Sequence, residues 1–318
     1  MASFQLEDWN PLYAEGDNRE ETRLIGIEFE GKPKPQEVLN SANYPFVGEE
    51  WLDEEQIAVE VSDDEYSDPE DWVDWRERGA YIKDKLNEQG VEVAGVGYDG
   101  GGKEFVTFPD SISHFKKGGS ERLKNVVEFL SETTEPDYMS GTHIHVSKLN
   151  SDTQTTWNNI YWFEMCFAPQ LQKIFGRVTH WARTPLPEGY FSQVNNRDEV
   201  LFQAPLKRPE PATNQVYNKG SMVVDRGNRY EFRGPKATHD LDEILAWAEL
   251  CNNIVEMCAN GYIKNMTFSE VLKGKYIRKY VDKIGKNNEA RKITPEERAK
   301  SIADVGYVQI NINENKVL

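Results

Sequence analysis

Glu28 and Glu30 stand two apart in GIEFE, where alternating apolar and acidic residues predict a strand. Successive strand side chains point to opposite faces, so both carboxylates leave one face while Ile25, Ile27 and Phe29 leave the other. Taken alone, such a pair is usually a solvated surface. His143 and His145 repeat the spacing in SGTHIHVS. Two imidazoles on one face can ligate a metal or hold phosphate oxygens, although an isolated pair is more often half-buried and satisfied. The chain has 5 histidines and two of them fall here, which favours the functional reading. Glu231 and Arg233 repeat the spacing in RYEFRG, with Tyr230 and Phe232 turned the other way. A cross-strand salt bridge accounts equally well for that segment on its own. Glu104, in GGKEFVTFP, is a further carboxylate followed by phenylalanine.

The recurrence carries more than any one segment. Glu28, Glu30, Glu104, Glu231 and His143 together offer hard oxygen ligands and one nitrogen. That set suits Mg2+ or Mn2+ bridging nucleotide phosphates better than Zn2+. Arg233 is then a cation for the charge developing on a transferred γ-phosphoryl group. One near-match is dismissed. GYDGGGKE has the spacing GxxxxGK, but Glu104 stands where a P-loop needs Ser or Thr. A P-loop must also open a helix, whereas FVTFP reads as extended. The glycines therefore read as a hairpin turn.

Strands are expected at Arg23 to Phe29, on both sides of the glycine turn, at THIHVS, and in a hairpin turning at Gly227 and Asn228. Helices are expected from Asp74 to Asn87, Glu121 to Glu132 and Thr155 to Phe175, and from Asp240, with Glu243 three residues on, to Ala259. The order of elements fits α+β with a mainly antiparallel sheet better than a doubly wound fold. The organisation expected is one catalytic domain over 1–284, with an acidic insertion at 48–75. A basic polar tail follows over 285–318, with YVQINI as a possible final strand.

The chain has 318 residues and a net charge of -17. Gly48 to Trp75 holds thirteen Asp or Glu and no Lys or Arg, so that stretch supplies most of the charge. It opposes non-specific nucleic-acid binding there and reads as a solvated loop. Lys264 to Lys300 carries eleven basic and five acidic residues and could sit against the acidic stretch. The 3 cysteines, Cys166, Cys251 and Cys258, lack CxxC spacing, and the latter two read as helix core residues. No segment approaches the roughly 20 apolar residues that span a bilayer, and MASFQLEDWN has no signal-peptide run. A cytoplasmic protein without a membrane partner is the expectation.

In order and residue type, the four segments resemble the amidoligase family of the carboxylate-amine ligase superfamily, which includes glutamine synthetase and glutamate-cysteine ligase. The family's first acidic pair looks like Glu28 and Glu30. Its second acidic strand looks like Asp99 and Glu104, its GxHxHxS strand like Gly141, His143, His145 and Ser147, and its ExR strand like Glu231 and Arg233. The resemblance implies a curved antiparallel sheet, with helices on its convex side and ATP with two or three divalent cations on its concave face. It implies Glu28, Glu30, Glu104, His143 and Glu231 as metal ligands and His145 and Ser147 near the nucleotide. It implies Arg233 on the transferred phosphate, and Glu231, Arg233 and His145 as the catalytic group. Arg177 and Arg183 fall where relatives often place substrate or phosphate arginines. The implied reaction joins a carboxylate to an amine through an acyl phosphate. The carboxylate and amine would come from an amino acid, a peptide or a cell-wall precursor. The family is frequent in bacteriophages, for which the location would be host cytoplasm, and an oligomer is compatible with it. The acidic stretch at 48–75 and Gly101, where relatives often have Ser, depart from its pattern. Phosphotransfer to a guanidino or carboxylate group, and a catalytically silent interaction protein, are the alternatives.

Overall fold

The computed structural model describes residues 11–39, 44, 69–99, 102–136, 140–176, 222–260 and 268–288. Its centre is an antiparallel sheet. The strands are β1 (Leu24–Pro33), β2 (Val93–Asp99), β3 (Gly102–Thr107), β4 (Asp110–Ser111), β5 (Thr134–Glu135), β6 (Thr142–Ser147), β7 (Val223–Asp225) and β8 (Arg229–Phe232). The main path runs β2-β3-β1-β6-β8-β7, and the two-residue strands β4 and β5 pair with β1. Each of these pairings is antiparallel. An antiparallel sheet tolerates one polar face, which parallel sheets buried on both sides do not.

The apolar face is Ile25, Ile27, Phe29, Phe105, Ile144, Val146, Tyr230 and Phe232, all buried. Helices cover it. They are α1 (Gln36–Leu39), α2 (Pro69–Glu88), α3 (Ile112–Lys116), α4 (Glu121–Thr133), α5 (Gln154–Phe175), α6 (Leu241–Ala259), α7 (Phe268–Val271) and α8 (Lys275–Asn288). Phe129 of α4 meets Phe105 edge to face at 5.2 Å, and Trp157 of α5 stacks on Tyr230 at 6.1 Å. α6 is buried on nearly every side from Ile244 to Cys258, as a helix apolar all round must be. Cys251 and Cys258 sit within it as buried free thiols, while the side chain of Cys166 lies outside the described residues. Among the described residues, no helix is long and apolar enough to cross a membrane.

Several elements depart from the expected bounds. β1 continues to Pro33, beyond Phe29. α2 begins at Pro69, inside the acidic stretch, because proline is tolerated in a first helical turn. α5 carries a non-helical Phe167 (φ -113°, ψ 19°), two residues before Pro169, which lacks the N–H that would continue the hydrogen-bond ladder. α8 was not expected, and it carries the chain past position 285 to Asn288. Its buried Ile277 and Tyr280, with partly buried Tyr276 and Val281, follow helical spacing amid many lysines. The remainder of the 48–75 stretch and YVQINI lie outside the described residues.

Glu249 of α6 anchors α8. Its carboxylate is 0 % exposed and accepts from the N–H groups of Lys275, Tyr276 and Ile277 at 3.3, 2.9 and 3.1 Å, with Lys116 Nζ at 2.8 Å. A carboxylate here meets both the helix dipole and orphan first-turn donors. A Cβ at Gly274 would collide with this carboxylate, so the approach requires glycine. Glu249→Ala is expected to destabilise the fold by about 2–4 kcal/mol, because buried donors lose a charged partner. Urea unfolding checks this; a loss under about 0.5 kcal/mol, the range of ordinary surface substitutions, would contradict it.

Candidate functional site

β1 lies between β3 and β6, and the register assembles the polar face. Glu28 stands opposite His143, Glu30 opposite Glu104, and His145 opposite both Gly26 and Glu231. Residues opposite one another share a face, so Glu28, Glu30, Glu104, His143, His145 and Glu231 lie on one side of the sheet. Arg229 shares their parity on β8. Arg226 reaches the same side because Val224 pairs with Glu231 across the β7–β8 hairpin, which turns at Gly227 (φ 86°). Arg233 follows β8 and is fixed by its N–H donating to Met222 O at 2.7 Å.

His143 is fully buried between carboxylates. Its Nδ1 lies 2.6 Å from Glu28 Oε1 and 3.5 Å from Glu231 Oε1, and its Nε2 lies 3.4 Å from Glu30 Oε1. Gly141 clamps Glu30 twice: its N–H donates to Glu30 Oε2 at 2.6 Å, and its carbonyl accepts from the Glu30 N–H at 2.9 Å. His145 Nε2 lies 3.1 Å from Glu28 Oε2, and Arg229 Nε donates to His145 Nδ1 at 3.1 Å. Glu231 accepts from Arg233 NH1 at 2.8 Å and from Arg226 Nε. Four carboxylates thus face three guanidiniums and two imidazoles.

Burial raises the pKa of the Glu28 carboxyl, but the charge and hydrogen bonds of His143 and His145 outweigh it and hold the group well below the usual range. Burial likewise raises that of Glu231, and the charges of His145 and His143 with the Arg226 hydrogen bond bring it to about 2. Both groups are therefore anionic at neutral pH. A carboxyl whose folded pKa lies below its ordinary 4.5 contributes stability above 4.5 and loses it as pH falls toward about 2. Stability measured by urea at pH 5 and pH 2.5 should accordingly fall with acid, and Glu231→Gln should lose less over the same interval. An equal loss in both proteins would remove Glu231 from this account.

One ligand atom from each of Glu28, Glu30 and His143 lies within 4.8 Å of the others. Octahedral Mg2+ holds oxygens at roughly 2.0–2.1 Å, so adjacent ligands are about 3 Å apart and opposed ones about 4.2 Å. The trio would have to draw in around a cation, and its donor types suit Mg2+ or Mn2+. Glu104 joins by register and by its charge on Arg226 and Arg229. Glu231 stands at the edge of the trio with both oxygens held by arginines. Ser147 reaches the end of β6, where its Oγ accepts from the Leu24 N–H at 2.9 Å and its carbonyl accepts from Arg23 at 2.9 Å. Arg177, Arg183 and Gly101, and the side chain of Asp99, lie outside the described residues.

Arg226 and Arg229 were not singled out in the sequence. The alternation that marked Glu231 and Arg233 extends back to Arg229 and was there to be read. Arg226 arrives only through the hairpin register.

No protein-family model matches the chain, and no curated protein matches it. Similar solved structures include a chain of the complex between prokaryotic ubiquitin-like protein Pup and its ligase PafA. It has 13 % identity and a TM-score of 0.32, over 90 % of this chain and 63 % of that one. Another is Plasmodium falciparum glutamine synthetase, at 13 % identity and a TM-score of 0.34, over 77 % of this chain and 52 % of that one. The chain thus spans less than two thirds of the length of each. At these TM-scores the reading of the site rests on its own geometry.

Proposed function

We propose that the polar face binds a divalent cation together with the triphosphate of ATP, and that the protein is an ATP-dependent carboxylate-amine ligase. The observation that carries this reading is the Glu28, His143 and Glu30 trio beside three guanidiniums on one sheet face. Carboxylates alone suit a cation and arginines alone an anion. Side by side they suit a metal polyphosphate, whose cation takes carboxylates and whose oxygens take arginine.

The ligation step rests on the resemblance of the four segments to the amidoligase pattern. In it a substrate carboxylate oxygen attacks the γ-phosphorus and ADP leaves. The amine nitrogen then attacks the acyl carbon, phosphate departs, and the nitrogen loses a proton. Phosphorylation converts a poor leaving oxygen into a good one, and water must be kept from the acyl phosphate. Glu28, Glu30 and His143 would hold the cation, which neutralises phosphate charge when bound, while Glu104 and Glu231 add negative potential. Glu231 keeps Arg226 and Arg233 in place as preorganised cations for phosphate oxygens.

The test is release of ADP and phosphate across a panel of amino acids, peptides, a cell-wall precursor and amines. Release dependent on both a carboxylate and an amine is the expected result; ATP left unused in every pairing would contradict the reading, and a stable phosphorylated product would convert it to phosphotransfer. One observation favours a silent scaffold: Glu28 and Glu231 are partnered within the protein, so the network also stands as a set of ion pairs. Thermal shift separates the two. ATP with Mg2+ at 100 times its Kd should stabilise a binding protein by about 2.7 kcal/mol and leave a scaffold unmoved.

A further inference from the structure

We propose that His145 and Arg229 form a positioning relay for Glu28, in which Arg229 fixes the His145 tautomer and His145 fixes the carboxylate. The inference rests on the reading of this face as a cation site and deepens it.

A guanidinium can only donate, so in the uncharged form of the ring His145 Nδ1 is the acceptor of Arg229 Nε at 3.1 Å. A proton on Nδ1 would face the Arg229 N–H directly. The ring proton therefore sits on Nε2, 3.1 Å from Glu28 Oε2, where it donates to the carboxylate. The opposite tautomer would set two donors against each other at one nitrogen and a lone pair against a carboxylate oxygen at the other.

The backbone supports this arrangement. His145 stands opposite Gly26, which has no side chain to intervene between the ring and Glu28 two residues on. Arg229 is held by its hairpin, where its carbonyl accepts from the Arg226 N–H at 2.9 Å and its NH1 donates to Asn228 Oδ1 at 3.1 Å. His145 is buried at 6 % exposure, which shields the ring, while Arg229 is half-buried. Glu28 thus has one oxygen assigned to His143 and the other to His145, and its plane is set before any cation arrives. Outer partners of this kind orient a ligand and set its basicity.

The chemistry of the tautomer supplies the test. Glutamine places an N–H near the position of Nε2, whereas asparagine places one near Nδ1. Mn2+ binding without nucleotide is read from the free-ion electron paramagnetic resonance signal, with circular dichroism confirming the fold. His145→Gln is expected to bind within about threefold of wild type, and His145→Asn and Arg229→Met to bind roughly 10–100-fold more weakly. Adding Arg229→Met to His145→Asn should weaken binding no further, because the arginine acts through the ring. Equal binding by the Gln and Asn variants, or a full additive loss in the double variant, would overturn the relay while leaving the cation site standing. Wild-type protein that binds no Mn2+ would overturn both. Should His145→Asn unfold, a Mn2+ affinity of Arg229→Met equal to wild type overturns the relay by itself.

Discussion

Arg23→Met is expected to destabilise the protein by roughly 3–5 kcal/mol, the loss that follows when one partner of a buried ion pair is removed. Arg23 is 2 % exposed and ties three elements together. Its NH1 and NH2 donate to Asp152 at 2.5 and 2.6 Å, its Nε donates to Glu256 of α6 at 2.9 Å, and NH1 also reaches the Ser147 carbonyl at the end of β6. Asp152 precedes α5 and its side chain is 1 % exposed, so without the guanidinium it is left as an uncompensated buried charge. The fork geometry matters as well as the charge, and Arg23→Lys should recover only part of the loss. Asp152→Asn added to Arg23→Met should be less damaging than the sum of the two single changes. Urea unfolding of the four proteins gives the coupling. A loss below about 1 kcal/mol for Arg23→Met would place the pair with surface ion pairs and contradict this account.

Glu28→Gln should have the largest effect on the site. The substitution keeps the shape and removes one of the four facing negative charges, at the residue held by both histidines. Outer partners alone are worth roughly 10–100-fold in metal affinity, so loss of a direct ligand should exceed about 100-fold and remove nucleotide-dependent turnover with it. The metal-free protein should stay folded, because the amide oxygen still accepts from one imidazole, but unfold at a lower temperature than wild type, because the carboxylate charge is lost and the amide N–H group faces the other ring. Calorimetric titration with Mn2+ checks the affinity. Glu28→Gln binding Mn2+ as tightly as wild type would move the cation away from β1.

The faces of this sheet were legible because strands alternate with period 2. GIEFE, HIHV and RYEF each send charged or imidazole groups one way and apolar groups the other, and the structure has Ile25, Ile27, Phe29, Tyr230 and Phe232 buried together. The capping of α6 by Asp240 was legible too, since its side chain accepts from Asp242 N and Glu243 N as a local motif should. Register was not legible. That Glu30 stands opposite Glu104 rather than one place along depends on turn geometry and long-range pairing, which no local pattern encodes. The same limit hid Arg226, which meets Glu231 only across the hairpin, and Arg23, whose partners lie 129 and 233 residues away. Glu249 reads in sequence as an ordinary helix-surface acid. Only the docking of α8, 26 residues on, makes it a buried cap.

The central claim is that one face takes a cation and a polyphosphate together. Isothermal titration of wild-type protein with ATP, once in excess Mg2+ and once in excess chelator, tests it most directly. The account predicts saturable binding with Mg2+ and binding at least about tenfold weaker without it, a difference of about 1.4 kcal/mol. ATP that binds equally well in chelator, or does not bind in either condition, would contradict it.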